Sequence, residues 1–180
     1  MAEIKIFVTN LGKYNEGFLI GEWVTLPVSD EELEAVFERI GISDKPDALG
    51  RYYEEYFITD YESDFDGLHI GEYESIGRLN EIAEELEGID AETFEAAYFH
   101  SSDLEEAIEN AKETFCLGKC PDTMDEYEYI GYYYIEEYNA MQIPDYLEGY
   151  FDYKRYGKDI ADDGNFYFAE SGYIYETIRR

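Results

Sequence analysis

The residue types able to do chemistry in this chain are few. Glu62-Ser63-Asp64-Phe65-Asp66-Gly67 begins like a calcium-binding loop, but such a loop calls for Asp first and a bidentate Glu twelfth, where this chain has Glu62 and Tyr73. The segment before it reads as a strand and not as the helix such a loop requires, so a solvated acidic loop is the better reading. Cys116 and Cys120 offer two thiolates for zinc, yet His69 and His100 are the only imidazoles and nothing local completes four ligands. Two free thiols near a helix end fit better, and they make no disulfide framework. With 44 Asp and Glu, carboxylate pairs are bound to occur. A pair therefore carries no weight, because general acid–base work requires two carboxylates in contrasting environments inside a pocket. The sequence has no nucleophile motif, phosphate-binding loop or His-centred triad. The expectation is a protein with no catalytic residues, no metal and no cofactor.

Charge remains. The 180 residues carry a net charge of -31, from 44 acidic against 13 basic side chains. An acid excess often means disorder, but 45% of the residues are apolar and 18% aromatic, with 20 Tyr and 11 Phe. That is ample material for a packed core. The fold must hold against its own repulsion, and a charge of this size asks for a reason. A pI near 4.1 argues against direct binding to nucleic acid or an anionic membrane and points to a basic partner. No run approaches the roughly 18 apolar residues of a membrane span, and Met1-Ala2-Glu3-Ile4-Lys5-Ile6 lacks the features of a secretion signal. A soluble, cytoplasmic protein is expected.

The elements that would carry these acids can be read from periodicity. Ile4, Ile6 and Val8 alternate with Lys5 and Phe7 as a strand does, and Asn10-Leu11-Gly12 and Asn15-Glu16-Gly17 punctuate a loop. A second strand runs from Phe18 to Leu26. Ser29-Asp30-Glu31-Glu32 is a capping box before Leu33, Val36, Phe37 and Ile40, with Gly41 as the stop. A third strand spans Glu54 to Tyr61, with Tyr56 and Ile58 on one side and Phe57 and Thr59 on the other. The next stretch reads as helical. Ile76, Leu79, Ala83 and Leu86 follow Ser75, Asp90 caps a short helix with Phe94, Ala97 and Tyr98, and Ser102-Asp103-Leu104-Glu105 boxes a helix through Ala107, Ile108, Ala111 and Phe115. Thr123-Met124-Asp125-Glu126 opens a Tyr-rich segment reaching Met141, and Phe151 to Ile160 is another helix after Pro144. Asn165–Ala169 and Gly172–Thr177 read as a terminal hairpin.

The acids are spread over these elements as Glu31-Glu32-Glu34-Glu38, Glu54-Glu55, Glu84-Glu85-Glu87, Glu105-Glu106-Glu109-Glu113 and Glu136-Glu137. Like charges four apart on a helix, such as Glu105 with Glu109 or Glu109 with Glu113, cost a few tenths of a kcal/mol each. A sequence tuned for stability alone would mix signs. Duplex DNA carries one negative charge per ~1.7 Å of axis, so a charge of -31 matches roughly 53 Å of duplex, about 15 base pairs. Carboxylates held at phosphate-like spacing would enter a groove lined with Lys and Arg as DNA does. A plain solvated acidic shell and adaptation to high salt are the competing accounts.

Asn10-Leu11-Gly12-Lys13-Tyr14-Asn15-Glu16-Gly17, continuing Phe18-Leu19-Ile20-Gly21-Glu22-Trp23, resembles the N-terminal signature of the ArdA antirestriction proteins. Tyr56-Phe57-Ile58-Thr59-Asp60-Tyr61-Glu62 with Ile76-Gly77-Arg78-Leu79-Asn80 is similar to the same family, as is Ile143-Pro144 with Tyr150 to Ile160. The matches follow in the family's order across nearly the whole chain. The resemblance implies a protein of plasmids and transposons that protects incoming DNA from type I restriction-modification enzymes. It implies a dimer of elongated, curved three-domain subunits whose acidic surface imitates bent B-form DNA in the DNA site of the enzyme's modification and specificity core. It also implies a dimer contact in the third domain, with the family's antirestriction stretch corresponding to Glu126–Tyr138.

The sequence thus predicts an elongated α+β chain of three small domains, with mixed antiparallel sheet and helix at both ends and a helical middle. These are residues 1–62, 63–118 and 119–180, the last carrying the dimer contact. The candidate partner-binding residues are Glu31, Glu34, Glu38, Glu54, Glu55, Glu84, Glu85, Glu105, Glu109, Glu113, Asp125, Glu126, Glu128, Glu136 and Glu137. The alternative function is a generic acidic module that inhibits another basic DNA-binding protein. The tyrosines have two readings: core residues whose hydroxyls reach a partner, or surface rings between carboxylates that stack on the target's Arg.

Overall fold

A computed structural model describes residues 2–101 and 103–177. The chain is mixed α+β, with two small antiparallel sheets and eight α-helices among the described residues. It divides into two compact units, Met1–Ala91 and Glu92–Arg180.

The first unit is built on a three-stranded sheet. β1 (Ile4–Asn10) lies between β2 (Gly21–Leu26) and β3 (Tyr56–Ser63), antiparallel to both. The alternation in β1 works as predicted: Ile4, Ile6 and Val8 are buried and join Val24 and Leu26 in the core. β2 starts three residues later than the hydrophobic run suggests. The reason lies upstream, where the segment read as loop is a short helix, α1 (Leu11–Asn15). Leaving that helix takes the chain through Gly17 at φ 90°, and Phe18, Leu19 and Ile20 are exposed on the way back to the sheet. In β3 simple alternation fails. The pairing with β1 slips between Phe7↔Asp60 and Val8↔Ile58, leaving Thr59 as a bulge. Phe57 and Ile58 are consequently both buried, with Phe57 meeting Tyr14 edge-on at 5.0 Å.

α2 (Asp30–Ile40) forms where the capping signal places it. The Ser29 side chain accepts from the Glu32 amide at 3.2 Å, and Gly41 ends the helix at φ 76°. The Glu32 carboxylate does not close the reciprocal half of the box; it takes Arg39 at 2.7 Å. α3 (Ile76–Glu85) buries Ile76, Leu79, Ile82 and Ala83. Asn80 on this helix binds the Val28 backbone in both directions, accepting from its amide at 2.9 Å and donating to its carbonyl at 2.8 Å.

The second unit starts one residue into α4 (Ala91–Phe99) and continues with α5 (Leu104–Ala111). Of the capping box read over 102–105, Ser102 lies outside the described residues; Asp103 is the cap, accepting from the Glu106 amide at 2.9 Å. The helical reading overran here. Phe115 does not continue α5 but begins β4 (Phe115–Lys119), the edge strand of a sheet ordered β4-β6-β5. β5 (Phe166–Phe168) and β6 (Tyr173–Glu176) are the expected hairpin, and β6 pairs with both neighbours. α6 (Glu126–Tyr132) is capped by Asp125, not Thr123, and runs into a π-helical segment at Tyr133–Glu137. After a one-turn α7 (Asp145–Glu148) comes α8 (Tyr153–Asp163), capped by Asp152. α6 and α8 pack so closely that a Cβ at Gly157 would strike the Tyr127 carbonyl oxygen, and one at Gly131 the Tyr153 carbonyl oxygen. Leu117, Ile130, Phe166 and Ile174 form the core beneath.

Candidate functional site

In the loop resembling a calcium site, Glu62 belongs to β3 and Asp64 is engaged with the Glu3 backbone, accepting from its amide at 2.9 Å. Ser63 accepts from the Phe65 amide at 3.0 Å, which turns the loop so that Phe65 is buried. Among the described residues no group of three His, Cys, Asp or Glu is placed to hold a metal. Cys116 and Cys120 are both free. Burial pushes the Cys120 thiol up, and the nearby Glu126 and Asp125 push it the same way, which disfavours the thiolate. A cavity of about 570 Å³ in the first unit has Ile4, Leu26, Pro27, Phe65 and Leu86 in its walls, with Glu3, Thr25, Glu87 and Asp90 also in its lining.

The carboxylates are arranged differently. Among the described residues none is buried. On α2, Glu31, Glu34 and Glu38 share the face opposite Val36 and Ile40 and are exposed. Glu84 and Glu85 occupy the solvent side of the last turn of α3, and Glu54 and Glu55 are exposed just ahead of β3. In the second unit, Glu105 and Glu109 stand on the outer face of α5. Glu113 does not join them as a helical pair: α5 ends at Ala111, and Glu113 is half-buried beyond it. Glu126 and Glu128 are in the first turn of α6, where the helix dipole favours acid; Glu128 is half-buried. Glu136 and Glu137 are exposed on the π-helical segment. Asp125 differs from the rest. It caps α6 and meets Lys154 at 3.1 Å, and that bond, with the Tyr127 amide, holds its carboxyl below the usual range.

Arg39 and Arg51 cancel other acids. Arg39 grips Glu22 with both ends of its guanidinium and also reaches Glu32, while Arg51 holds Asp47 and Glu16. Among the described residues no Lys or Arg pairs with Glu31, Glu34 or Glu38.

Two groups of residues escaped the sequence reading. One is Asn10, wholly buried, whose side-chain amide donates to the Ile40 and Gly41 carbonyls at 3.2 and 3.1 Å while its oxygen accepts from the Lys13 amide at 2.9 Å. One side chain thus starts α1 and ties off α2. The neighbouring Gly12 leaves room for the Tyr53 ring, whose hydroxyl donates to Glu16 at 3.0 Å. The stretch Asn10–Gly17 is therefore a structural knot. Asn before an apolar residue was the available signal of a cap. The other group is a set of tyrosine hydroxyls that donate to glutamates: Tyr134 to Glu176, Tyr153 to Glu136, Tyr167 to Glu95 and Tyr175 to Glu92.

Residues 6–175 match the family model for the antirestriction protein ArdA. The chain belongs to the ArdA family. No curated protein matches it significantly. Membership attaches antirestriction activity to this acidic fold, and the knot at Asn10–Gly17 lies within the matched region. The stretch likened to the ArdA antirestriction segment, Glu126–Tyr138, has two sides. Ile130 and Ile135 are buried and Tyr129 donates to the Leu117 carbonyl at 3.1 Å, whereas Glu126, Glu136, Glu137 and Tyr138 are exposed. Among the described residues no helix is long and apolar enough to cross a membrane.

Proposed function

We propose that this chain is a DNA mimic that blocks type I restriction-modification enzymes by occupying the DNA site of their modification and specificity core. The observation that carries the reading is the placement of the acids: exposed carboxylates stand on ordered helices and strands, away from the cores, under a net charge of -31. A groove built for phosphates gains the same counterion release and steering from such a surface as from a duplex. Ordered backbone under the carboxylates lowers the entropy lost on binding. The mechanism is competition, with no bond made or broken, no metal or cofactor, and no contact with nucleic acid.

Three small domains, residues 1–62, 63–118 and 119–180, form an elongated subunit in this reading, and the last makes a homodimer contact. Exposed apolar residues in that segment, Met141, Tyr146, Leu147 and Tyr150, suit a surface covered by a second copy. Glu31, Glu34, Glu38, Glu54, Glu55, Glu84, Glu85, Glu105, Glu109, Glu113, Asp125, Glu126, Glu128, Glu136 and Glu137 are the proposed contacts and act additively. A host protein in the cytoplasm is the setting.

The test adds purified protein to a type I methyltransferase core bound to labelled duplex and follows release of the duplex. Stoichiometric displacement is expected. If the duplex stays bound while the protein still inhibits some other basic DNA-binding protein, the type I target is wrong.

A further inference from the structure

Four glutamates of the second unit are held without being neutralised. The Tyr134 hydroxyl donates to Glu176 at 2.7 Å, Tyr153 to Glu136 at 3.1 Å, Tyr167 to Glu95 at 2.5 Å and Tyr175 to Glu92 at 2.8 Å. Among the described residues no Lys or Arg pairs with any of these four carboxylates. A Lys or Arg in the tyrosine's place would also fix the carboxylate, but it would cancel its charge. A neutral phenol donates one hydrogen bond, restricts the glutamate's rotamers and leaves the full negative charge. Glu16 supplies the contrast within the same chain: it too takes a tyrosine hydroxyl, from Tyr53, but Arg51 cancels it at 2.8 Å.

The rings of Tyr153, Tyr134 and Tyr167 pack against other aromatic rings. Tyr153 packs against Phe151 at 5.0 Å and Tyr132 at 6.0 Å. Tyr134 is set between Tyr138 at 5.5 Å and Tyr133 at 6.2 Å, and Tyr167 lies against Phe99 at 5.3 Å. Tyr167 and Tyr175 face each other across the β5–β6 hairpin, so their hydroxyls reach Glu92 and Glu95, one helical turn apart on α4. A ring held by edge-on and tilted neighbours places its hydroxyl, and the hydroxyl places the carboxylate. Burial first and the carboxylate second push the phenols of Tyr134, Tyr153 and Tyr167 up, so they stay neutral donors at any pH where a partner would be met.

We infer that Tyr134, Tyr153, Tyr167 and Tyr175 are positioning residues of the acidic surface, holding uncompensated carboxylates in place for a cationic groove. This rests on the DNA-mimic reading above. It gives a physical use to a chain with 20 Tyr and only 13 Lys and Arg. Long acidic side chains lose rotamer freedom when a partner orders them, and carboxylates already ordered lose less.

The experiment measures displacement of duplex from a type I methyltransferase core at several salt concentrations, with folding followed by circular dichroism. Tyr153→Phe keeps every charge, so the dependence of log affinity on log salt keeps its slope, while affinity falls about 2- to 10-fold. Tyr153→Lys keeps a donor but cancels Glu136, and Glu136→Gln removes the charge; both are expected to flatten the slope as well as weaken binding. Tyr134→Phe, Tyr167→Phe and Tyr175→Phe should behave as Tyr153→Phe does, and Tyr153, whose partner is exposed, decides if any of those three fails to fold. Folded Phe variants that displace duplex as well as the wild type would overturn the inference while leaving the DNA-mimic reading intact. A wild-type protein that displaces nothing would overturn both.

Discussion

A single side chain, Asn10, shows how much of this molecule depends on polar groups that do no chemistry. Its amide satisfies two carbonyls at the end of α2 and its oxygen an amide at the start of α1, and the Asn10 side chain itself is closed to water. Removing it strands three backbone groups, each of which costs free energy when buried unpaired. Asn10→Ala should therefore lower unfolding stability by about 2 kcal/mol or more, measured by urea denaturation followed through the fluorescence of Trp23, the single tryptophan, on β2 of the first unit. The Ser29→Ala change, at an exposed cap, should cost only about 1 kcal/mol. Equal losses at the two positions would mean that Asn10 acts as an ordinary cap and that its bonds to α2 contribute nothing. Neither change alters the net charge. Once corrected for the folded fraction, neither should weaken displacement of duplex.

At the scale of elements, what the sequence revealed was what periodicity encodes. β1, α2, α3 and the terminal hairpin were legible because Ile4-Ile6-Val8, Val36-Ile40 and Leu79-Ala83 repeat at the spacing of the surfaces they bury. The short helix α1 was not, since five residues hold too little pattern and its start depends on Asn10 meeting carbonyls thirty residues away. β4 was misread because Phe115 falls in helical phase with Ala111, and only its pairing with β6 makes the segment a strand. The acids were easy to locate on their faces, but which of them are held, and by what, depends on tyrosines 17 to 83 residues distant. The α6–α8 crossing was equally hidden: no periodicity marks Gly131 and Gly157 as the points where the two helix backbones approach. Gly157→Ala should force the two helices apart and cost about 1–3 kcal/mol by overpacking, read as a fall in urea midpoint. A stability equal to wild type would show that the crossing is loose. The tie between the hairpin and α4 makes a separate prediction at high pH. The Tyr167 phenol is pushed from 10.0 up to about 12, by burial and then by Glu95. Its protonated form is the one the fold favours, so this contribution is complete below about pH 10 and is lost as the pH climbs to about 12. Wild-type stability should fall across that window, and Tyr167→Phe should fall less steeply; parallel curves would remove the hydroxyl from the account.

For the molecule as a whole, the same net charge of -31 acts on two equilibria with opposite signs. Within the chain, like charges repel, and the folded state brings them closer than the unfolded state does. Toward a cationic groove, the same charges attract and release counterions. Salt screens both, with a Debye length that shrinks from about 30 Å at 0.01 M to about 3 Å at 1 M. Raising sodium chloride over that range should therefore raise the thermal midpoint, as repulsion is relieved, while it weakens displacement of duplex from the methyltransferase. The few cations make the first effect the stronger expectation: the ion pairs of Arg39 and Arg51 are solvent-exposed and contribute little that salt can take away. A protein merely adapted to salty surroundings would gain stability in the same way but would show no displacement at any salt concentration. Conversely, a midpoint that fell with added salt would mean that attractive pairs outweigh repulsion, and the idea of an acidic surface kept at a cost to stability would have to go. Thermal unfolding and displacement recorded on one preparation across the salt series would decide between these outcomes.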